Sequence, residues 1–347
     1  MNTPTKTEPV IMQEAELLDL GARAFQGLGL VDQDARDVAR ILVTADLFGL
    51  STHGLSRVES YGERLLVNGI NRSPTITAEK VAPALVKIDG DNGVGPLVGM
   101  RALEAAMEAA REFGVGIAFA RGSNHFGPVS PYLLLAAESG FASIIGSNAT
   151  TTMAPWGGSD ARLGNSPIGF GVPNPTGRHF LLDMAISVAA RAKIRNALKA
   201  GQAIPETWAT DKDGRTTTDP AAALKGFLLP MGAHKGYGLA LLVDLFAGLL
   251  SDAAYLTHVK SWSDAPDQPQ NLGHFFILVD TSRLGSTKWL TERMNDFASI
   301  LHGSPAVDPA RPVIVPGEIE LDLMEQQRRD GIRLDPAVIA LLRQHAA

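Results

Sequence analysis

His53, Arg57 and Tyr61 are spaced four residues apart, so a helix through them would carry an imidazole, a guanidinium and a phenol on one face. That trio suits a particular chemistry. A guanidinium holds a carboxylate through two parallel hydrogen bonds, and an imidazole beside it can move the proton of a neighbouring hydroxyl or carbonyl. A structural reading of the same residues leaves His53 as a capping or surface group and pairs Arg57 with Glu59. His125 lies in Gly122-Ser-Asn-His-Phe-Gly127, directly after an expected strand, where α/β proteins bind ligands. His234-Lys235 precede Gly236-Tyr-Gly238 and an apolar helix. A cation and free backbone N–H groups meeting at a helix start attract phosphate, although a plain glycine-rich helix start has the same composition.

Other signatures are weaker. Gly93-Val-Gly95-Pro-Leu-Val-Gly99 sits between an expected strand and helix, the place of a dinucleotide fingerprint, but its glycine spacing is off by one. Pro96 also removes an N–H donor, and Arg121, where an acid is usual, follows the next strand; an arginine there suits a 2′-phosphate. The segment reads as a phosphate loop or as a glycine-rich turn. Gly164-Asn-Ser166-Pro-Ile-Gly169 has the wrong glycine spacing for a nucleophile elbow. The eight histidines contain no His-Glu-x-x-His or His-x-His arrangement, so no metal site is expected.

The elements that must hold these residues are those of an α/β protein. From Glu14 to Leu47 apolar residues recur at three and four, predicting two helices, and Ser51-Thr52 offer capping hydroxyls for a third running to Val67. Ala84–Ile88, Val115–Ala120, Ala142–Gly146, Gly169–Val172, Phe180–Leu182 and Phe275–Val279 read as strands. Gly99–Phe113, Tyr132–Gly140, Ser187–Ala200, Gly236–Leu250, Glu292–Leu301 and Pro336–His345 read as helices. Residues 1–75 and 295–347 are expected to pack as one largely helical lobe, with an α/β domain over 76–294 inserted between them.

Composition bounds the function. The 347 residues carry 31 basic against 37 acidic groups, net −6, with no basic run to track a phosphate backbone, so no nucleic-acid partner is expected. With 45% hydrophobic and 20% charged residues the chain is globular. Absence of cysteine excludes disulfides, thiolate nucleophiles and Cys-ligated metals. Gly238–Leu250, interrupted by Asp244, falls well short of the roughly 20 residues of a membrane span. It reads as a core helix, with no membrane partner. The amino-terminal residues show no apolar signal run, and the cytoplasm is the expected compartment.

Taken in order, Thr52-His-Gly54 with Arg57 and Tyr61, Ser123-Asn-His-Phe-Gly127, Met153-Ala-Pro-Trp-Gly-Gly158, Gly164-Asn-Ser-Pro167, Leu182-Asp-Met-Ala185, His234-Lys-Gly-Tyr-Gly238 and Val315-Pro-Gly-Glu318 resemble the malate/L-lactate dehydrogenase family of NAD(P)-dependent oxidoreductases. The resemblance spans nearly the whole chain. It implies an unusual, non-Rossmann mixed-sheet cofactor domain inserted in a helical lobe, and a homodimer whose active sites use both subunits. It also implies roles: His53 as acid/base beside Thr52, Arg57 as carboxylate binder with Tyr61, and Asn165 as a substrate contact. His125, Phe126, Gly127, Pro128 and Val129, then Asp183, Met184 and Ala185, then His234 and Lys235, and finally Gly317 and Glu318 would contact NAD or NADP. The dinucleotide's phosphates are expected near Lys235, with Asp183 reaching them from the partner subunit.

Departures from the family pattern bear on the substrate. Thr52 replaces the usual serine, Ile186 a polar residue and Ala192 a glycine, implying a tighter or drier pocket. Lys193 matches members that act on 2-hydroxy acids, where a lysine stabilises a developing alkoxide, whereas cyclic-imine reductases tend to carry aspartate; a solvated helix lysine is the other reading. The implied function is hydride transfer between a nicotinamide and a small 2-oxo/2-hydroxy acid, malate- or lactate-like. The alternatives are a cyclic-imine (piperideine- or pyrroline-2-carboxylate) reductase and a non-catalytic nucleotide-binding homologue.

Overall fold

The computed structural model describes residues 8–347. After strand β1 (Val10–Met12), helices α1 (Glu14–Gly27) and α2 (Asp32–Leu47) form where the apolar period runs, burying Leu17, Ala24 and Phe25 from one and Val38, Ile41 and Leu42 from the other. Acidic residues in both first turns complement the helix dipoles. Helix α3 (Val58–Leu66) begins later than Ser51 and Thr52 would place it.

A β–α–β crossover follows: β2 (Thr77–Ala82), β3 (Leu85–Asp89), α4 (Gly95–Phe113) and β4 (Val115–Ser123), with β3 and β4 parallel. Next come α5 (Ser130–Glu138), β5 (Phe141–Ser147), the short pair β6 (Thr151–Met153) and β7 (Leu163–Gly164), then β8 (Ile168–Val172) and β9 (Phe180–Met184). Helices α6 (Arg191–Ala200), α7 (Pro220–Ala223) and α8 (His234–Asp244) precede β10 (Leu272–Asp280), and α9 (Thr287–His302), α10 (Glu318–Asp330), β11 (Ile332–Leu334) and α11 (Pro336–His345) complete the chain.

The main sheet has the order β2-β3-β4-β10-β5-β8-β9. Strand β10 enters between β4 and β5, antiparallel to both, with Phe276 opposite Ala118 and Ile145. A Rossmann sheet is parallel at its centre; this one is mixed, as the family resemblance implied. The exposed edge strand β2 carries Glu79 and Lys80, a charged edge that discourages further pairing. The two chain ends meet, since β1 pairs with β11 and α1 packs on α11. Sequence periodicity missed these three-residue strands and also α10, whose buried residues are only Leu321 and Met324.

Other boundaries differ: α4 starts at Gly95 rather than Gly99 and α9 at Thr287 rather than Glu292. Helix α6 starts at Arg191 rather than Ser187, and α8 starts at His234 and widens after Asp244 into a π turn over Leu245–Leu249. Buried Asp244 accepts the Leu256 N–H at 3.0 Å where the π turn begins, tying the next loop to the helix end.

Candidate active site

His53 stands on a turn, and this corrects the helix-face expectation. Its N–H donates to the Leu50 carbonyl, and only at Leu55–Arg57 does a 3-10 turn lead into α3. The cap comes from elsewhere in the fold: buried Asp46 of α2 accepts the Leu55 N–H at 2.8 Å. A Cβ on Gly54 would lie 2.0 Å from Asp46 Oδ1, so only glycine lets the turn close over this carboxylate. Burial pushes the Asp46 carboxyl up to about 7, against the pull of the Leu55 N–H. Thr52 Oγ1 is 2.9 Å from His53 Nδ1. Burial, and then the neighbouring Arg57 charge, push His53 down to about 4.

His53 and Arg57 nevertheless line the same cavity, which encloses about 890 Å³. The Arg57 Nε is buried with no hydrogen-bond partner. Tyr61 sits behind the cavity wall, fully buried, its hydroxyl 2.8 Å from His125 Nδ1 and 3.0 Å from the His125 carbonyl oxygen. The Gly127 N–H also donates to Nδ1, at 3.4 Å. Nδ1 thus faces both the Tyr61 hydroxyl and the Gly127 N–H. Burial foremost, then the Arg57 charge, holds His125 well below the usual imidazole range. Its ring centroid lies 5.6 Å from that of His53.

Trp262 closes this side, with its centroid 5.6 Å from Tyr61 and 6.0 Å from His125. Buried Arg64, on the same helix as Tyr61, fastens the Trp262 segment by donating to the carbonyls of Trp262, Ala265 and Gln268.

The expected cofactor segment after β4 forms the cavity floor. His125, Phe126, Gly127 and Pro128 line it, Gly127 at φ +85°, while Val129 is buried beneath. Phe126 is stacked between His274, at 4.3 Å, and Tyr132, at 4.9 Å. Asp183 and Ala185 also line the cavity and Met184 does not. Asp183 Oδ2 accepts the Ser130 N–H at 2.8 Å, so the end of β9 caps α5. Burial raises its pKa, partly offset by that N–H. Asn165 and Gly317 reach the cavity, whereas Glu318 accepts the Val315 N–H at 2.8 Å. Between Asn165 and Pro167, Ser166 holds φ +22°, a strained value of the kind found beside binding sites.

The Gly93–Gly99 segment is packed, with Gly95–Gly99 already in the start of α4. It is buried throughout, Gly93 O accepts from Asn124 Nδ2 at 2.9 Å, and a Cβ on Gly95 would lie 2.2 Å from the His125 carbonyl oxygen. Its glycines bring α4 against the His125 loop and leave no seat for a phosphate.

His234, Lys235 and Lys193 are exposed and lie outside the cavity lining of a single chain. Helix α6 presents Arg191 and Arg195, one turn apart, and Lys193 falls on another face. The sequence reading missed both arginines, although their i, i+4 spacing is the signal that found His53 and Arg57. Ala233, before α8, adopts φ +58° and ψ −128°, a region that suits glycine. Ala233→Gly is expected to stabilise the fold by about 1 kcal/mol, seen as a Tm rise of roughly 2 °C; a lower Tm would contradict this conformation.

Three buried polar atoms without partners belong to residues of the cavity wall: Arg57 Nε, Thr152 Oγ1 and Gln270 Oε1. Orphaned groups of this kind are costly unless a ligand satisfies them. The volume suits a ligand much larger than a small acid, and its mixed apolar and polar wall fits a dinucleotide with a substrate beside it.

The malate/L-lactate dehydrogenase family model matches residues 12–343. A malate dehydrogenase of Pyrococcus abyssi is 34% identical over 332 residues, covering 93% of this chain and 91% of that protein. A Δ1-pyrroline-2-carboxylate reductase of Ancylobacter novellus is 32% identical, covering 96% and 97%. The solved structure of the sulfolactate dehydrogenase from Methanocaldococcus jannaschii superposes with TM-score 0.89 at 33% identity, covering 97% and 96%. Fold and sequence agree: the chain belongs to the malate/L-lactate dehydrogenase family of oxidoreductases.

Proposed function

We propose that this protein interconverts a small 2-oxo acid and its 2-hydroxy acid, using NAD or NADP. The observation that carries this reading is the unpartnered, buried Arg57 Nε beside His53 on the wall of a cavity large enough for both ligands. The bound nicotinamide supplies or accepts the hydride at the oxygen-bearing carbon. Arg57 holds the carboxylate, and His53 takes the hydroxyl proton in oxidation and returns it in reduction. Tyr61 anchors His125 by its ring and its carbonyl, and the loop from His125 to Pro128, with Asp183, Ala185 and Gly317, is where the cofactor would lie. Residues 1–75 and 295–347 supply the acid/base lobe, and 76–294 the cofactor domain.

Neutral His53 in the free protein has a consequence. A carboxylate on Arg57 cancels one of the two causes of its low pKa, so substrate binding should raise that pKa and draw in a proton. Titration calorimetry in buffers of different ionisation heat is expected to show proton uptake on binding of a 2-oxo acid. The kcat/KM for reduction should fall as pH rises. Binding without proton exchange would contradict the role of the Arg57–His53 pair.

Steady-state assays with NADH and NADPH against 2-oxo acids and cyclic-imine carboxylates test the reading as a whole. The imine is the second candidate, supported by likeness to the pyrroline-carboxylate reductase. Turnover of imines alone would select it.

We infer a homodimer as well. Helix α9 buries no residue yet displays Phe297 and Ile300, and the end of α8 with its π turn exposes Leu242, Leu245, Leu249 and Leu250 by 45–50%. Apolar surface of this extent is ordinarily covered by a partner. Exposed Lys193, His234 and Lys235 would then be available to the partner's site. Sedimentation should give twice the chain mass; a monomer at working concentration would contradict it.

A further inference from the structure

Arg57, Tyr61 and Arg64 follow one another at spacings of four and three, so one stripe of helix α3 and the turn before it carries them all. Arg57 lines the cavity and Tyr61 holds His125. Arg64 is 1% exposed, and its guanidinium donates to the carbonyls of Trp262 at 3.1 Å, Ala265 at 3.2 Å, Gln268 at 2.7 Å and Gly69 at 3.4 Å. A cation buried this deeply is tolerated only while such bonds are kept. Gly69, just past the end of α3, comes so close to the same segment that a Cβ there would lie 1.8 Å from the Pro266 carbonyl oxygen. The loop is moulded onto the helix end through its backbone, which leaves the Trp262 ring for the cavity wall.

That ring is gripped by its neighbours. The Arg64 guanidinium lies over it at 4.7 Å, Tyr61 flanks it at 5.6 Å and His125 meets it edge-on at 6.0 Å. An indole so held cannot swing aside for a larger ligand as an exposed one could. It stands against His125, whose ring lies 5.6 Å from that of His53, so it takes up space next to the acid/base histidine.

We propose that Trp262 sets the size of acid the site accepts, excluding branched and aromatic chains beyond C3, and that Arg64 is the positioning residue that holds its ring in place. This rests on the function proposed above and narrows it by shape.

The test compares kcat/KM for pyruvate, 4-methyl-2-oxopentanoate and phenylpyruvate in the wild type and in Trp262→Phe, Trp262→Ala, Arg64→Lys and Arg64→Met. The wild type is expected to favour pyruvate; equal values for the three acids would overturn the size limit. Trp262→Ala should shift the ratio toward the larger acids by roughly ten- to two-hundredfold, the range that one methylene of fit commands in an apolar pocket, with Trp262→Phe in between. Arg64→Met should move the ratio the same way, and Arg64→Lys, which keeps a charged donor for the carbonyls, should move it less. Because Arg64 acts through the ring, adding Arg64→Met to Trp262→Ala should leave the ratio where Trp262→Ala alone puts it. A purely structural arginine would lower all three activities in step. That result, or shifts that multiply in the double variant, would overturn the positioning role. Should Arg64→Met not fold, Arg64→Lys decides, and an unchanged ratio in it rejects the role. An unchanged ratio in Trp262→Ala overturns the size limit; if NADH binding is also weakened in fluorescence titration, the ring belongs to the nicotinamide instead.

A second set of measurements separates failure of this proposal from failure of the function itself. Should the wild type reduce no 2-oxo acid, the function falls, and the wall is judged on cofactor-free protein. The part of the tryptophan emission that Trp262→Phe removes should be quenched by acrylamide more strongly in Arg64→Lys than in the wild type, and equal quenching would reject the positioning role. Trp262→Ala should raise the Tm shift given by 4-methylpentanoate relative to that given by acetate, and an unchanged relation would reject the size limit.

Discussion

Replacing His53 by Asn is expected to lower turnover of a 2-oxo acid by about 10²–10⁴-fold while NAD(P)H binding survives, the range that a positioned proton donor contributes. Asparagine retains a polar group near Thr52 Oγ1, so the turn held by Gly54 and Asp46 should persist. What it cannot do is carry the proton that an alkoxide needs after hydride arrival. The loss should therefore appear in kcat and kcat/KM together, with little change in the cofactor's dissociation constant. Near-normal kcat in a folded variant would remove His53 from the role and pass it to His125, whose ring centroid lies 5.6 Å away.

Arg57→Lys is expected to raise KM and to lower kcat/KM by roughly ten- to a hundredfold for carboxylate substrates. Lysine keeps the charge, so simple electrostatic attraction survives. It loses the planar fork that fixes the acid's orientation against His53, and a misplaced acid also loses rate. The present Nε, buried and unpartnered, is the atom whose hydrogen bond the substrate should complete. Unchanged KM and kcat/KM would sink the assignment of Arg57.

Parts of this site are local, and those were legible. The apolar periods of α1 and α2, the loop position of His125 after β4, and the spacing of His53 and Arg57 are all short-range patterns. What escaped depends on distant partners. The turn bearing His53 is capped by a carboxylate on the preceding helix, so Ser51 and Thr52 looked like caps and were not. Tyr61 read as a substrate contact because spacing cannot show that His125, 64 residues on, takes its hydroxyl. Lys193 drew attention through the family resemblance, although Arg191 and Arg195 face the cavity. Strand β10 was recognisable by its apolar run, but its place between β4 and β5 is a long-range pairing with no local signature. The glycines of Gly93–Gly99 were ambiguous for the same reason, since their purpose is close approach to the His125 backbone.

The most direct test follows the hydride itself. Reduced nicotinamide dinucleotide carrying deuterium at C4 of the ring would be incubated with the protein and a panel of 2-oxo acids, and the products examined by NMR. The expected product is a 2-hydroxy acid with deuterium at C2, formed by the wild type and about 10²–10⁴-fold more slowly by His53→Asn. Cofactor binding with no deuterium delivered to any 2-oxo acid, or delivery only to a cyclic imine, would contradict the proposed function.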